Sequence, residues 1–212
     1  MKKLFYKIKN HFTPQFLLNH KKRSEDQKDY EQWKEKGYPI PPPHLFKQNT
    51  IEEYQNKFGN TILIETGTYM GDMIEAQKNN FKTLYSIELS VKLHKKAQRR
   101  FRHNKNIHIV QGDSGEVLPI ILKDINDPAI FWLDGHYSAG VTAKGDKDCP
   151  IFEELNAIFN SKDLNHILLI DDARQFNGIG DYPTIEQLTE FIKRKNGKYQ
   201  LEVKNDIIRY VI

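Results

Sequence analysis

The sequence predicts an α/β fold: a doubly wound, mostly parallel sheet of seven strands with a C-terminal antiparallel hairpin, preceded by an N-terminal helical leader. Three observations carry this reading. Apolar runs recur at 62–64, 84–87, 107–110, 129–133 and 167–170, each of a length suited to a buried strand. Stretches with helical character separate them, and strands alternating with helices imply a parallel sheet wound on both faces. After the last helix, runs at 201–203 and 207–211 are separated only by Lys204-Asn205-Asp206 and read as a hairpin.

The outer bounds agree with one such domain and an appendage. The chain has 212 residues, room for an α/β domain at 39–212 and a basic leader at 1–38. With 32 basic and 28 acidic residues the net charge is only +4, with much of the excess in the leader, so composition does not suggest nucleic acid. A single cysteine, Cys149, excludes an internal disulfide framework and a cysteine-rich zinc site. No apolar run reaches membrane-spanning length and the leader lacks a signal-peptide core, so a soluble cytoplasmic protein is expected.

Leu4, Phe5, Ile8 and Phe12 recur at roughly helical spacing among lysines. Such a helix suits contact with an anionic membrane surface, or packing of its aromatic side on the domain. Tyr38-Pro39-Ile40-Pro41-Pro42-Pro43 is expected to be extended, because successive prolines forbid a helix. A helix is predicted to start at Asn49 or Thr50 as cap, with Glu52 and Glu53 in its first turn, and to run toward Phe58.

The stretch 61–88 organises the domain. An apolar strand ends at Glu65, a turn carrying Gly67 and Gly71 follows, then a helix, then a second strand ending on Glu88. Strand, glycine turn, helix, strand, acid is the pattern of a unit that holds a ribose-bearing cofactor, its terminal carboxylate accepting the ribose hydroxyls. In the dinucleotide fingerprint the second glycine admits a pyrophosphate against the backbone. Here that position is Tyr69, which argues against NAD and for S-adenosylmethionine (SAM), a ribose-bearing cofactor without phosphate.

Beyond Glu88, a helix is predicted over 91–102, with Lys92, Lys95, Lys96, Arg99 and Arg100 as a solvated stripe. The third strand ends in Gly112-Asp113-Ser114, where Asp113 suits both capping of the helix at 115–122 and contact with an adenine amino group. The fourth ends in Asp134-Gly135-His136-Tyr137 and the fifth in Asp171-Asp172-Ala173-Arg174. Helices are predicted at 150–159 and 184–195. The glycine-bearing loops 138–147 and 175–182 suit lids over the same edge of the sheet. Cys149 reads as a packed thiol, with no His-Asp pair placed to activate it.

The runs ETGTYMGD, YSIEL, GDSGEVLP, FWLDGHYSAGVTAKGD, CPIFEEL and IDDARQF together resemble class I SAM-dependent methyltransferases, most nearly a bacterial subgroup met in surface-polysaccharide gene clusters. The resemblance covers about residues 41–212 and implies a Rossmann-like fold. It implies that Glu65, Gly67, Thr68, Tyr69 and Gly71 surround the methionine part of SAM, and that Glu88 with Leu89 holds the ribose. Asp113 and Ser114 would border the adenine and Asp134 the methyl donor. Glu-Thr-Gly-Thr stands where the family more usually has acid-x-Gly-x-Gly.

Asp134, Asp171 and Asp172 fall at the ends of neighbouring strands, and three carboxylates in one cleft repel unless protonated or bridged by a cation. An oxygen cluster suits Mg²⁺. Macrolide-type sugar O-methyltransferases use a similar LDG…IDD arrangement to hold a diol on that ion. The alternatives are that Asp172 caps a turn and that Asp171 pairs with Arg174 or a lysine. His136 is the general-base candidate, with a substrate-orienting or structural role equally open, and Tyr137 and Arg174 are candidates for substrate contact.

The expected activity is methyl transfer from SAM to a hydroxyl of a sugar or related polar metabolite, in capsule or surface-polysaccharide biosynthesis. The partner is then a small molecule or glycan rather than nucleic acid, and homo-oligomerisation is left open. The alternatives are a non-catalytic module of the same fold in polysaccharide assembly and, less favoured, an NAD-linked oxidoreductase.

Overall fold

The computed structural model describes residues 15–135 and 149–212. The predicted leader helix around Leu4, Phe5, Ile8 and Phe12 lies outside them, as do His136, Tyr137 and the loop 138–147. The chain divides into two compact units, Met1–Lys47 and Gln48–Ile212.

In the first unit, helix α1 (Gln15–Glu35) is followed by a non-helical stretch through the prolines. Trp33 is buried against the rings of Tyr38 and Phe46, and its indole N–H donates to the Pro39 carbonyl at 2.6 Å. That bond satisfies the polar end of an otherwise apolar side chain. Helix α2 (His44–Phe58) begins earlier than the sequence predicts. Its first turn forms directly after Pro43, whose carbonyl accepts from Phe46 N, so Thr50 is a buried mid-helix residue rather than a cap.

The second unit is the predicted sheet. Its strands are β1 (Ile62–Thr66), β2 (Thr83–Glu88), β3 (Ile107–Gln111), β4 (Ala129–Leu133), β5 (Ile167–Ile170), β6 (Gln200–Lys204) and β7 (Ile207–Val211). They are ordered β3-β2-β1-β4-β5-β7-β6, parallel except for β7, which runs antiparallel to both neighbours. Central strands β1, β4 and β5 are buried along their whole length, as their unbroken apolar runs require when both faces are covered.

The crossovers are α3 (Asp72–Gln77), α4 (Val91–Phe101), α5 (Ser114–Ile121), α6 (Ile151–Phe159) and α7 (Ile185–Lys195). Their starts are written in local chemistry. Ser90 accepts from Leu93 N, Asp113 accepts from Gly115 N as the sequence predicts, and Thr184 forms a reciprocal capping box with Gln187. One core cluster joins Ile64, Phe131, Leu168 and Tyr210 of the sheet to Leu118, Leu155 and Leu188 of α5, α6 and α7.

The strand order reverses between β1 and its two neighbours, β2 on one side and β4 on the other. In open parallel sheets the crevice at the carboxyl end of such a reversal is where ligands bind. The loops after β1, β2 and β3 lie there, as do Asp134 and Gly135 after β4.

Candidate active site

Four acids stand at four successive strand ends: Glu65 on β1, Glu88 on β2, Asp113 after β3 and Asp134 after β4. The turn after β1 is shaped by two glycines and by Tyr69, all with positive φ (Gly67 86°, Tyr69 48°, Gly71 78°). A Cβ on Gly67 would lie 2.5 Å from the Asp134 carbonyl oxygen, so only glycine lets β1 and the end of β4 approach this closely. A Cβ on Gly71 would strike the Phe101 ring at 2.7 Å.

Glu88 holds this turn. Its Oε2 accepts from Tyr69 N and its Oε1 from Ser90 N, both at 2.8 Å. Burial pushes its carboxyl above the usual range, and the two backbone amides oppose that shift. Each carboxylate oxygen keeps a second acceptor lone pair, so the group is fixed in place yet able to accept further hydrogen bonds. Leu89, next in the chain, is half-buried, and its carbonyl accepts from Gln111.

Glu65 is 3% exposed and accepts from the Ser86 hydroxyl, which in turn shares a 2.6 Å hydrogen bond with Thr68. Burial raises its carboxyl to about 8, with Asp134, Glu88 and Asp72 adding repulsion and Ser86 opposing. The group is therefore mainly neutral near pH 7. Ser86 was not singled out from sequence, although a serine inside the otherwise apolar end of β2 is a signal that could have marked it.

Arg100 departs from the predicted solvated stripe. Its Nη1 donates to the Met70 carbonyl at 2.7 Å and to Asp72 at 3.0 Å, so α4 clamps the glycine turn from outside. Ser114, the first residue of α5, is buried and donates to Glu154 Oε1 at 2.6 Å. Asp134 N donates to Thr66 Oγ1 at 3.2 Å, fixing where the chain leaves β4.

The acids after β5 are arranged differently from the sequence expectation. Asp171, 1% exposed, accepts from Asp172 N, and it is Asp172 rather than Asp171 that pairs with Arg174. Asp172 Oδ1 takes Arg174 Nη1 at 2.8 Å and its Oδ2 takes Gln175 Nε2 at 2.9 Å. Arg174 Nη1 also meets Asp206, in the β6–β7 turn, and Arg174 N donates to the same carboxylate at 2.8 Å. Among the described residues no group of three His, Cys, Asp or Glu side chains is placed to hold a metal ion. Of the trio predicted to hold Mg²⁺, Asp134, Asp171 and Asp172, the last has both carboxylate oxygens facing cationic or amide donors. His136 and Tyr137 lie outside the described residues.

No protein-family model matches the chain, and no curated protein sequence matches it. Solved structures do. An O-methyltransferase from Bacillus cereus in complex with SAH is 12% identical with a TM-score of 0.56, over 89% of this chain and 91% of that one. The O-methyltransferase TomG from Streptomyces achromogenes, involved in tomaymycin synthesis and in complex with SAM, is 13% identical with a TM-score of 0.58, over 88% of each chain. A putative caffeoyl-CoA O-methyltransferase from Staphylococcus aureus is 11% identical with a TM-score of 0.57, over 99% of this chain and 98% of that one.

The chain has the class I methyltransferase fold. Its antiparallel β7, inserted between β5 and β6, agrees with that fold and departs from the dinucleotide-binding order, in which a sixth strand simply follows the fifth. Among the described residues, no helix of this methyltransferase-fold chain is long and apolar enough to cross a membrane.

Proposed function

We propose that the chain is a SAM-dependent O-methyltransferase acting on a hydroxyl of a sugar or related polar metabolite. The observation that carries the reading is Glu88, a buried carboxylate locked by Tyr69 N and Ser90 N at the end of β2, beside a glycine turn too narrow for a side chain at Gly67. The likeness to O-methyltransferases holding SAM or SAH supports it.

On this reading Glu88 accepts the ribose hydroxyls, with Leu89 beside it. Asp113 and Ser114 border the adenine. Gly67, Thr68, Tyr69 and Gly71 line the methionine end. A mainly neutral Glu65 avoids repelling the methionine carboxylate there. The cofactor, when bound, supplies an electrophilic methyl group on sulfonium sulfur. The chain's own part is to orient the acceptor oxygen in line with that methyl and to take its proton. Asp134 borders the transfer point, and His136 takes the proton. Tyr137 and Arg174 contact the acceptor, Arg174 through guanidinium nitrogens other than the Nη1 that holds Asp172 and Asp206.

The acceptor in this proposal is a small molecule or glycan of surface-polysaccharide biosynthesis. A metal-assisted form would hold a cation on Asp134, Asp171 and Asp172, the last through lone pairs that its Arg174 and Gln175 contacts leave open. A chelator that removed transfer while leaving SAH binding intact would support that form.

The test is calorimetric titration with S-adenosylhomocysteine. Micromolar binding that Glu88→Ala weakens by about 100-fold supports the reading, since that change removes two charge-assisted contacts to one ligand. Absence of binding would leave the fold without the activity, as a non-catalytic module.

A further inference from the structure

Glu154 is a buried acid that the proposed mechanism leaves without a role. It sits in the first turn of α6 and is 2% exposed. Full burial of a carboxylate is costly, and here two features offset it: the positive end of α6 and the Ser114 hydroxyl at 2.6 Å. The same Oε1 atom lies 2.8 Å from where a Cβ on Gly135 would be. Thr66 Oγ1, the atom that accepts from Asp134 N, lies 3.0 Å from the same position. Gly135 therefore packs closely against both the end of β1 and the Glu154 carboxylate. Ser114 belongs to the rim after β3, Gly135 to the rim after β4, and Glu154 touches both.

We infer that Glu154 is a positioning residue that locks the Asp134–Gly135 elbow to the Ser114 rim of the cleft. The proposal concerns the elbow itself. Its consequence for ligand binding rests on the methyltransferase reading, because that reading places the adenine at Ser114 and the transfer point at Asp134. With the link in place, a ligand filling the Ser114 side finds Asp134 already set. Without it, the elbow keeps the Thr66 contact to Asp134 N.

The sequence gives a faint trace of this. Ile151, Leu155 and Ile158 mark the buried face of α6, and position 154 falls on that face by helical spacing. An acid there reads as an ordinary first-turn carboxylate until Ser114 and Gly135 are seen against it.

Amide hydrogen exchange tests the link without any ligand. In Glu154→Ala the Asp134 amide, bonded to Thr66, is expected to exchange at least about tenfold faster, while those of β2 and β3 keep their rates. Glu154→Gln retains an acceptor oxygen and the side-chain volume, and should restore protection. Ser114→Ala removes only one hydroxyl and keeps the test available if Glu154→Ala fails to fold; it should loosen the same amide. Unchanged exchange at Asp134 in both Ser114→Ala and Glu154→Ala, or acceleration spread evenly over the sheet, would overturn the proposal.

A second arm uses S-adenosylhomocysteine. Glu154→Ala should weaken binding and Glu154→Gln should keep most of it. Unchanged binding in Glu154→Ala would overturn the consequence for the ligand. If the parent protein does not bind this probe, the cofactor reading fails, and the exchange measurement still decides the elbow.

Discussion

Arg174 joins the end of β5 to the turn of the C-terminal hairpin by donating to Asp206, through both its guanidinium and its backbone N–H. The neighbouring Ala173 N reaches the Asp206 carbonyl at 2.9 Å. Asp206 and its neighbour Asn205 adopt positive φ to make the tight turn that brings this carboxylate under the β5 loop. The pair is therefore a tertiary clasp before it is anything else.

Asp206→Ala is expected to lower the unfolding free energy by about 2 kcal/mol, because it removes the acceptor of Arg174 N and one of the two acids that Arg174 Nη1 meets. Arg174→Ala should cost less, about 1 kcal/mol, since Asp206 keeps both backbone donors. Urea denaturation measures both. Equal midpoints for parent and Asp206→Ala would show that the clasp does not stabilise the fold.

Gly67→Ala should weaken S-adenosylhomocysteine binding about 10- to 100-fold, through strain at φ 86° and a backbone oxygen 2.5 Å away that cannot easily yield. Gly59→Ala is the matched control. Its φ is 72° and a Cβ there meets nothing within 4 Å, so it carries the strain without the collision. The two variants binding the ligand alike would contradict the close approach of β1 and β4.

Glu65 sets a pH dependence of known sign. Its carboxyl lies near 8 in the folded chain against an ordinary value of 4.5, so between those values the native state holds a proton that the unfolded state has lost. The contribution of Glu65 to stability therefore falls as pH rises through that window. Glu65→Gln is expected to flatten the decline and to melt above the parent near pH 8, while the two converge near pH 4 in thermal scans. Parallel curves would mean that Glu65 is ionised in the fold.

Cys149 should resist modification in the native protein. It is 4% exposed, and burial pushes its thiol up to about 12, leaving almost no thiolate at neutral pH. A maleimide should label it only after denaturation in urea. Rapid labelling of the folded chain would place this thiol at an open surface.

What the sequence disclosed was governed by range. Strands β4 and β5 have the predicted bounds because an apolar run between polar ends is a local signal. Asp113 capping α5 was legible for the same reason. Asn49 and Thr50 misled because a plausible cap beside two acids cannot reveal that the preceding turn, from His44, is already helical. Arg100 sat in a basic stripe that gives no hint of its bond to Met70, 30 residues earlier. The second partner of Arg174 was out of reach, since Asp206 approaches it only because β7 folds back between β5 and β6.

The reversal of strand order at β1 also bears on inheritance. Glu65, the glycine turn, Glu88 and Asp113 all precede the short link 126–128 that leads into β4, whereas Asp134, Asp171, Asp172 and Arg174 all follow it. On the proposed reading, a single recombination event within that link would exchange the acceptor half of the cleft and leave the donor half untouched. The seam such a graft must match is the backbone contact of Gly67 with the Asp134 carbonyl, together with the Ser114–Glu154 bond. A lineage that kept those two junctions could change what it modifies without relearning how to hold its methyl source.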